Sequence, residues 1–325
     1  RGQVNQHFTD TQTLRSRLPR DLSVSSRTGA GVPWSRGAGV PGIFVYCAGK
    51  QTDMARTVLV TGASSGIGAA AAKALAAQGD IVYGAARRVN LIPEGVIPIS
   101  MDMTDSASVK AGVERIISEQ GRIDILVNNA GYGYFGPVET VSPEEARRQL
   151  DVNLFGLAEL TAAVLPHMRR QKGGRIVNVA SVAGKAVFHF GGWYNVSKFS
   201  VEAYSDALRM EVRPFGIKVS IIEPGLIGTD WGLIAARHLQ ESTAGTAYEE
   251  PGATMAANMN KGYTTKSLNS RPEVVSRAIV KACNSRRPRT RYRIGRFSGL
   301  IVFFHSLLPA RWWDALVGLL ARRTF

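Results

Sequence analysis

A doubly wound α/β sheet is the fold class this sequence predicts, with one domain at its centre and a helical extension behind it. Two observations carry the prediction. Six short apolar runs alternate with stretches long enough for crossover helices, and the first run opens into a glycine-rich turn that leads into an alanine-rich segment. The runs are Thr57–Thr61, Ile81–Ala85, Val96–Ser100, Ile123–Asn128, Arg175–Ala180 and Lys218–Glu223. They are rich in Val, Ile and Leu and continuous rather than alternating, as strands buried on both faces are. Strand–helix–strand repetition of this kind gives a parallel sheet with helices on both faces. The segment Ala69–Gln78 shows the helical part of the pattern: it is Ala-rich and ends before Gly79, an expected C-cap.

The chain has 325 residues, 45% of them hydrophobic, which suffices for one large core or two small ones. Its only cysteines, Cys47 and Cys283, cannot build a disulfide framework or a thiolate metal site, which makes a reducing compartment the default. The five histidines show no metal-ligand spacing. The net charge of +15 is unevenly placed. Residues 1–53 hold seven Lys+Arg against three Asp+Glu, residues 271–325 hold twelve against two, and the centre is nearly neutral. A basic nucleic-acid groove through the core is not expected from this distribution.

Residues 1–53 are rich in Arg, Ser, Gly and Pro and predict a poorly ordered tail. Met54, just before the first strand, is expected close to the natural start, with 1–53 as upstream sequence or a processed leader. Asp10 and Asp21 weigh against a transit peptide. The apolar patch 40–48 is too short to span a bilayer. Residues 54–270 are expected to form the catalytic domain, and 271–325 a basic, amphipathic helical extension.

The glycine turn reads TGASSGIG, from Thr61 to Gly68. Strand, glycine turn and helix form the context of a dinucleotide site. Gly62 permits the tight turn, while Gly66 and Gly68 let backbone approach a pyrophosphate and the helix pack on the sheet. Together with Ser64, Ser65 and Ile67 they make the expected phosphate cradle, with the helix N-terminus facing the anion. The second strand ends in Ala85 and Ala86, followed by Arg87 and Arg88, where an NAD site usually places an acid. Arginine there suits a 2′-phosphate, hence NADP rather than NAD. Asp102, with Met103 beside it, can meet the adenine amino group or cap the next helix, as can Thr104.

Tyr194 and Lys198 lie four residues apart and share one helix face. A positive charge near a phenol lowers its pKa, which would turn a group of pKa about 10 into a usable acid/base.

Over roughly Arg56 to Arg271 the chain resembles the short-chain dehydrogenase/reductase family. TGASSGIG is similar to the family's TGxxxGxG loop, and NNAG, Asn128 to Gly131, follows the fourth strand as the family motif does. Asn153, Ser181, the Y-x-x-x-K of Tyr194 and Lys198, Pro224–Gly225 and Thr229 come in the family's order. Val196 is a small departure, since Ala or Ser is common there. The resemblance implies a Rossmann-type fold and hydride transfer between a nicotinamide and an alcohol, ketone or aldehyde. Tyr194 would be the acid/base. Lys198 would lower its pKa, helped by the oxidised nicotinamide, and would hold the ribose. Ser181 would orient the substrate oxygen, and Asn153 would hold a water linking Lys198 to solvent. Asn129, Ala130, Gly131, Pro224, Gly225, Ile227 and Thr229 would line the cofactor. Asn128 and Asn129 read better as braces than as reactants, and His189 as a loop residue rather than a base. A dimer or tetramer is the family expectation, and the expected location is cytoplasmic, with peripheral membrane contact as the variant.

The segment 226–270 would close over substrate as a lid. It carries Trp231, Tyr248, Met255, Met259 and Tyr263, and the loop after NNAG adds Tyr132, Tyr134 and Phe135. These suit a lipophilic substrate such as a steroid or retinoid, or simply pack the lid. The C-terminal stretch joins RRPRTRYRIGR to an Arg-flanked, Trp-containing apolar segment broken by Pro309. It fits interfacial membrane contact, or packing on the domain or a second subunit, or a basic surface for an acyl carrier protein or coenzyme A. A silent nucleotide sensor, or a membrane-associated lipid-binding protein on the same fold, is the competing functional reading. The retention of Ser181, Tyr194 and Lys198 argues for catalysis.

Overall fold

The structure, a computed structural model, describes residues 55–322. The expectations for 1–53, for Met54 and for Cys47 lie outside the described residues.

Seven parallel strands form one sheet in the order β3-β2-β1-β4-β5-β6-β7. They are β1 Thr57–Thr61, β2 Ile81–Ala86, β3 Ile97–Ser100, β4 Ile125–Asn128, β5 Gly174–Val179, β6 Ile217–Pro224 and β7 Arg291–Ile294. All six expected runs are strands, with ends shifted by a residue or two. The central strands β1 and β4 are buried along their whole length, which explains their unbroken apolar sequences.

Alternation along each strand separates two cores. Val58, Val60, Val127 and Val177 face helices α1 Gly66–Ala76 and α8 Pro272–Asn284, which supply Ala72, Leu75, Ile279 and Cys283. Leu59, Leu126 and Ile176 face α2 Ser106–Gln120, α4 Gly156–Arg170 and α5 Gly192–Val212. Between α2 and α4 lie α3 Pro143–Leu150 and a π-helical turn, Asp151–Phe155. The remaining helices are α6 Asp230–Thr243, α7 Glu249–Thr264, α9 Ser298–Leu307 and α10 Ala310–Arg322. The sheet order reverses direction between β1 and β4. The C-terminal ends of β1, β4, β5 and β6 open there, where ligands of such sheets bind.

The expected boundary at residue 270 does not hold. Helix α8 covers α1 and the sheet, and β7 adds a seventh strand, so the helical extension proper begins at α9. The sequence RYRI looked like part of a basic run because its partners are remote. Arg293 binds Glu223 at 2.9 Å, and Arg291 reaches Glu223 at 3.2 Å and Glu202 at 3.0 Å. Glu223 is fully buried on β6, and Glu202 is buried on α5. The arginines of β7 therefore neutralise carboxylates that the neighbouring elements hold out of water.

Removing one partner of such a buried pair leaves an uncompensated charge. Glu223→Ala should lower stability by about 3 kcal/mol, read as a lower urea midpoint. Glu223→Gln, which keeps a hydrogen-bond acceptor for the arginines, should cost less.

Candidate functional site

One cavity of about 1760 Å³ opens along the C-terminal ends of the strands. Its floor is the turn after β1. At the start of α1, Ser65 makes no side-chain capping bond and the first turn holds no acid, which leaves the helix N–H groups facing the cavity. Gly68 does not reach the wall. A Cβ there would lie 2.3 Å from the Gly62 carbonyl oxygen, and its role is to let the helix close onto the turn. Asn129 holds the turn from the other side, its amide donating to the Thr61 carbonyl at 3.0 Å. Thr61 Oγ1 accepts from the backbone N–H of Asn129 and Ala130, each at 3.0 Å, a link that sequence reasoning missed. Asn128 donates to Thr161 and Asn178, bracing the sheet as expected.

Ser64, Ser65, Gly66, Ile67, Arg87, Arg88, Asp102 and Met103 line this end of the cavity together. Both arginines are exposed, and β2 ends without an acid. Asp102 accepts from the N–H and the hydroxyl of Thr104 at 2.9 and 2.8 Å, which with nearby Arg87 holds its carboxyl below the usual range. The cap of α2 is Asp105, which accepts from Ala107 N, and neither Asp102 nor Thr104 fills that position. An open helix N-terminus, free cationic side chains and a glycine-lined wall fit a dinucleotide with its phosphates at α1.

At the other end α5 presents Tyr194 and Lys198, both buried and both on the wall. Ser181 follows β5, and its hydroxyl is within hydrogen-bonding reach of the Tyr194 phenol. Ser181 also donates to the Pro224 carbonyl at 3.4 Å and accepts from Ala183 N at 3.1 Å, which fixes its rotamer. Ala130, Gly131, Pro224, Gly225, Ile227 and Thr229 line the stretch between the two ends. Asn153 lies behind the wall, in the π-helical turn. It donates to Tyr132 O at 2.9 Å and to Ser197 Oγ at 3.0 Å, and accepts from Tyr132 N at 3.0 Å. Both of its N–H groups are taken, so only the second Oδ1 lone pair can serve Lys198 or a water. A Cβ on Gly131 would stand 2.9 Å from that oxygen and 3.6 Å from Lys198 Nζ, which keeps the passage between them open.

The electrostatics differ from the sequence expectation. Lys198 was expected to pull the Tyr194 pKa down. Instead burial pushes the phenol up to about 12, with Ser181 opposing. The reason is that the Lys198 ammonium stands 6.0 Å from the ring centroid and donates to the Val179 carbonyl at 3.0 Å. Burial pushes Lys198 itself down to about 8, opposed by the charge of Glu202 one turn further along α5. Glu202 is raised by its own burial and is held by Lys185 at 2.9 Å as well as by Arg291.

The lid helices complete the cavity. Trp231 of α6 lies 5.0 Å from the Tyr194 ring and Phe135 5.5 Å, with Tyr263 of α7 tilted against Trp231 at 6.1 Å. His189 lines the loop side against Phe190 at 4.0 Å. His238, unremarked in the sequence, also reaches the wall, stacked on Tyr134 at 4.6 Å. Its sequence distance from Tyr134 hid the pair.

Sheet order, open helix N-terminus and a buried Tyr–Ser–Lys group define a dinucleotide-binding oxidoreductase class. The sequence profile of the family described as short chain dehydrogenase matches residues 56–235. The chain is 38% identical over 238 residues to the 3-ketodihydrosphingosine reductase of Bacteroides thetaiotaomicron, covering 73% of this chain and 87% of that protein. A solved short-chain dehydrogenase from Streptomyces avermitilis matches with a TM-score of 0.69 at 30% identity, over 84% of this chain and 100% of that one. Two further structures, each 25% identical over 74% of this chain and 96% of their own, hold cofactor. They are a 3-ketoacyl-(acyl-carrier-protein) reductase from Brucella melitensis with NADH, TM-score 0.61, and a metagenomic short-chain oxidoreductase with NADP, TM-score 0.58. The chain belongs to the short-chain dehydrogenase/reductase family and is an oxidoreductase of alcohol and carbonyl groups.

Lys198 carries its proton below about pH 8 and loses it above, because burial lowers its pKa. Carbonyl reduction should therefore fall on the alkaline side of about pH 8. Glu202 opposes that lowering, so Glu202→Gln should move the fall to lower pH, seen in kcat/KM against pH. An unchanged profile in the variant would remove Glu202 from the account.

Proposed function

We propose that this protein is an NADP-dependent reductase of a lipophilic ketone or aldehyde, with Tyr194 as the proton donor. The observation that carries the reading is the pairing of Tyr194 with Ser181 at the base of an aromatic cage. That cage runs without interruption into the groove of the glycine turn.

A nicotinamide held in this groove would supply the hydride for the carbonyl carbon. The chain's own residues do the rest. Ser181 turns its hydroxyl proton from the Pro224 carbonyl to the substrate's carbonyl oxygen and fixes its direction. Tyr194 gives its phenolic proton to that oxygen as negative charge develops there, and the product is the alcohol. A phenol held up at about 12 by burial is still protonated at neutral pH, the state a reductase needs. Lys198, on the wall beside it, would hold the ribose hydroxyls of the cofactor and restore the phenol's proton, with Asn153 Oδ1 behind the passage. Trp231, Phe135 and Tyr263 exclude water and select apolar substrate.

Arg87 and Arg88 favour NADP. They stand at the cavity after a strand that offers no acid to a free 2′-hydroxyl. The size of the cavity, about 1760 Å³, leaves room for a long chain beside the cofactor. The similarity to a reductase named for 3-ketodihydrosphingosine supports an amphiphilic keto lipid as the class, ahead of a steroid or retinoid. A lipophilic substrate also favours a cytoplasmic protein that touches a membrane at its surface.

Tyr194→Phe should lower reduction by at least about a thousandfold while leaving NADPH binding, followed by its fluorescence, within a few-fold of the parent. Turnover that survives the change would remove Tyr194 from the mechanism. In a separate comparison, Arg87→Asp should weaken NADPH binding and leave NADH binding intact or improved. An unchanged ratio of the two affinities would take Arg87 out of cofactor selection.

A further inference from the structure

We propose that helices α9 and α10 form an interfacial anchor that seats the mouth of the cavity on an anionic lipid bilayer. The proposal rests on the lipophilic-substrate reading and goes further, naming the surface from which that substrate enters.

Helix α9 is inverted relative to an ordinary surface helix. Leu300, Phe303, Phe304 and Leu307 fall at i, i+3, i+4 and i+7, one continuous stripe. A helix of a globular domain turns such a stripe inward. Here the four are 54%, 55%, 43% and 64% exposed, and the one buried residue of α9 is Ser298. Trp312, at the start of α10, is 70% exposed and extends the apolar surface. The chain enters α9 through Phe297, itself exposed and held at a left-handed φ of 59°, which turns another aromatic ring to the outside.

The hairpin is nevertheless docked on the domain. Trp313 is buried, its indole N–H donates to the Val187 carbonyl at 3.1 Å, and its ring meets His305 edge-on at 4.9 Å. The inner side of the pair lines the cavity with Ile301, Trp313 and Leu316. Leu300 and Phe304 do both: they belong to the exposed stripe and to the cavity wall. The apolar surface is therefore the rim of the cavity.

Three arguments select a lipid surface as the occupant. The first is charge: exposed Arg148, Lys261 and Arg296 line the cavity and exposed Arg311 opens α10, against exposed Asp230, Glu241 and Asp314, in a chain whose residues 271–325 hold twelve Lys+Arg against two Asp+Glu. The second is composition, since Trp, Phe and Leu flanked by arginine are the residues of an interfacial helix. The third is continuity. A second copy of the chain covering Leu300 and Phe304 would close the mouth, whereas a bilayer covers the same atoms and delivers apolar substrate through them. The anchor lies on the membrane. Among the described residues no helix is long and apolar enough to cross one.

The test uses the full chain and the pair Phe303→Glu with Leu307→Glu, exposed residues outside the cavity wall. The parent should sediment with phosphatidylglycerol/phosphatidylcholine vesicles, less with phosphatidylcholine alone and less at high salt. The double variant should partition at least about tenfold more weakly. NADPH oxidation with a water-soluble ketone should be the same in both proteins, and only turnover of a long-chain ketone dissolved in the vesicles should fall in the variant. A parent that stays in the supernatant, or a variant that sediments as well as the parent, overturns the anchor. So does a dimer in analytical ultracentrifugation that the variant breaks while vesicle binding is absent. Vesicle binding that the variant loses, in a protein that reduces no ketone at all, supports the anchor and overturns the reductase reading instead.

Discussion

A lysine ammonium held out of water on α5 is the constraint around which the rest of this structure is arranged. Lys198 is buried, and burial disfavours its charge. The charge persists at neutral pH because the next turn of the same helix face carries Glu202, itself buried. That carboxylate needs cations in turn, and Lys185 and Arg291 provide them. Arg291 also meets Asp206, another turn along α5, and Glu223 on β6. One face of a single helix thus carries Tyr194, Lys198, Glu202 and Asp206, and the chain of compensating charges ends on β7 at the edge of the sheet. The seventh strand holds the electrostatics of the site from behind as well as extending the sheet.

The same desolvation sets the character of the phenol. A tyrosine in an aromatic cage, with its lysine turned toward a backbone carbonyl, stays an acid. The lid contributes to this directly, because Trp231 and Phe135 cover the ring of the proposed proton donor. Substrate selection and proton donation therefore draw on the same side chains. A substitution that opened the cage to water would change both the acidity of Tyr194 and the apolar preference of the pocket.

Much of this was legible in the sequence, for identifiable reasons. β1 and β4 are buried on both faces, and nothing but an unbroken apolar run satisfies that. The glycine turn is legible because Gly68 packs against a carbonyl where no Cβ fits. Tyr194, Lys198 and Ser181, which the family resemblance groups together, line one cavity. What escaped was non-local. RYRI reads as a basic tail until Glu202 and Glu223 are brought beside it. Residues 272–284 read as part of an extension until α1 offers them a face. Asn153, expected to hold a water for Lys198, sits in a π-helical turn behind the wall and is bonded to Tyr132 and Ser197, partners its sequence position did not announce. In the chain alone burial governs the Tyr194 phenol, because four residues of spacing fix the face that Lys198 shares and leave open where its ammonium points.

The two halves of the molecule are under opposite demands. The sheet end fixes the cofactor groove with bonds from backbone and buried amides, as at Thr61, Asn129 and Asn153, which tolerate little change in geometry. The lid and the C-terminal hairpin line the cavity with rings and aliphatic chains, which make contact without direction. Apolar contact of this kind accepts a range of chain lengths and keeps the reacting carbonyl where Ser181 and Tyr194 can take it. An enzyme built this way selects the reaction at the sheet and the class of substrate at the hairpin.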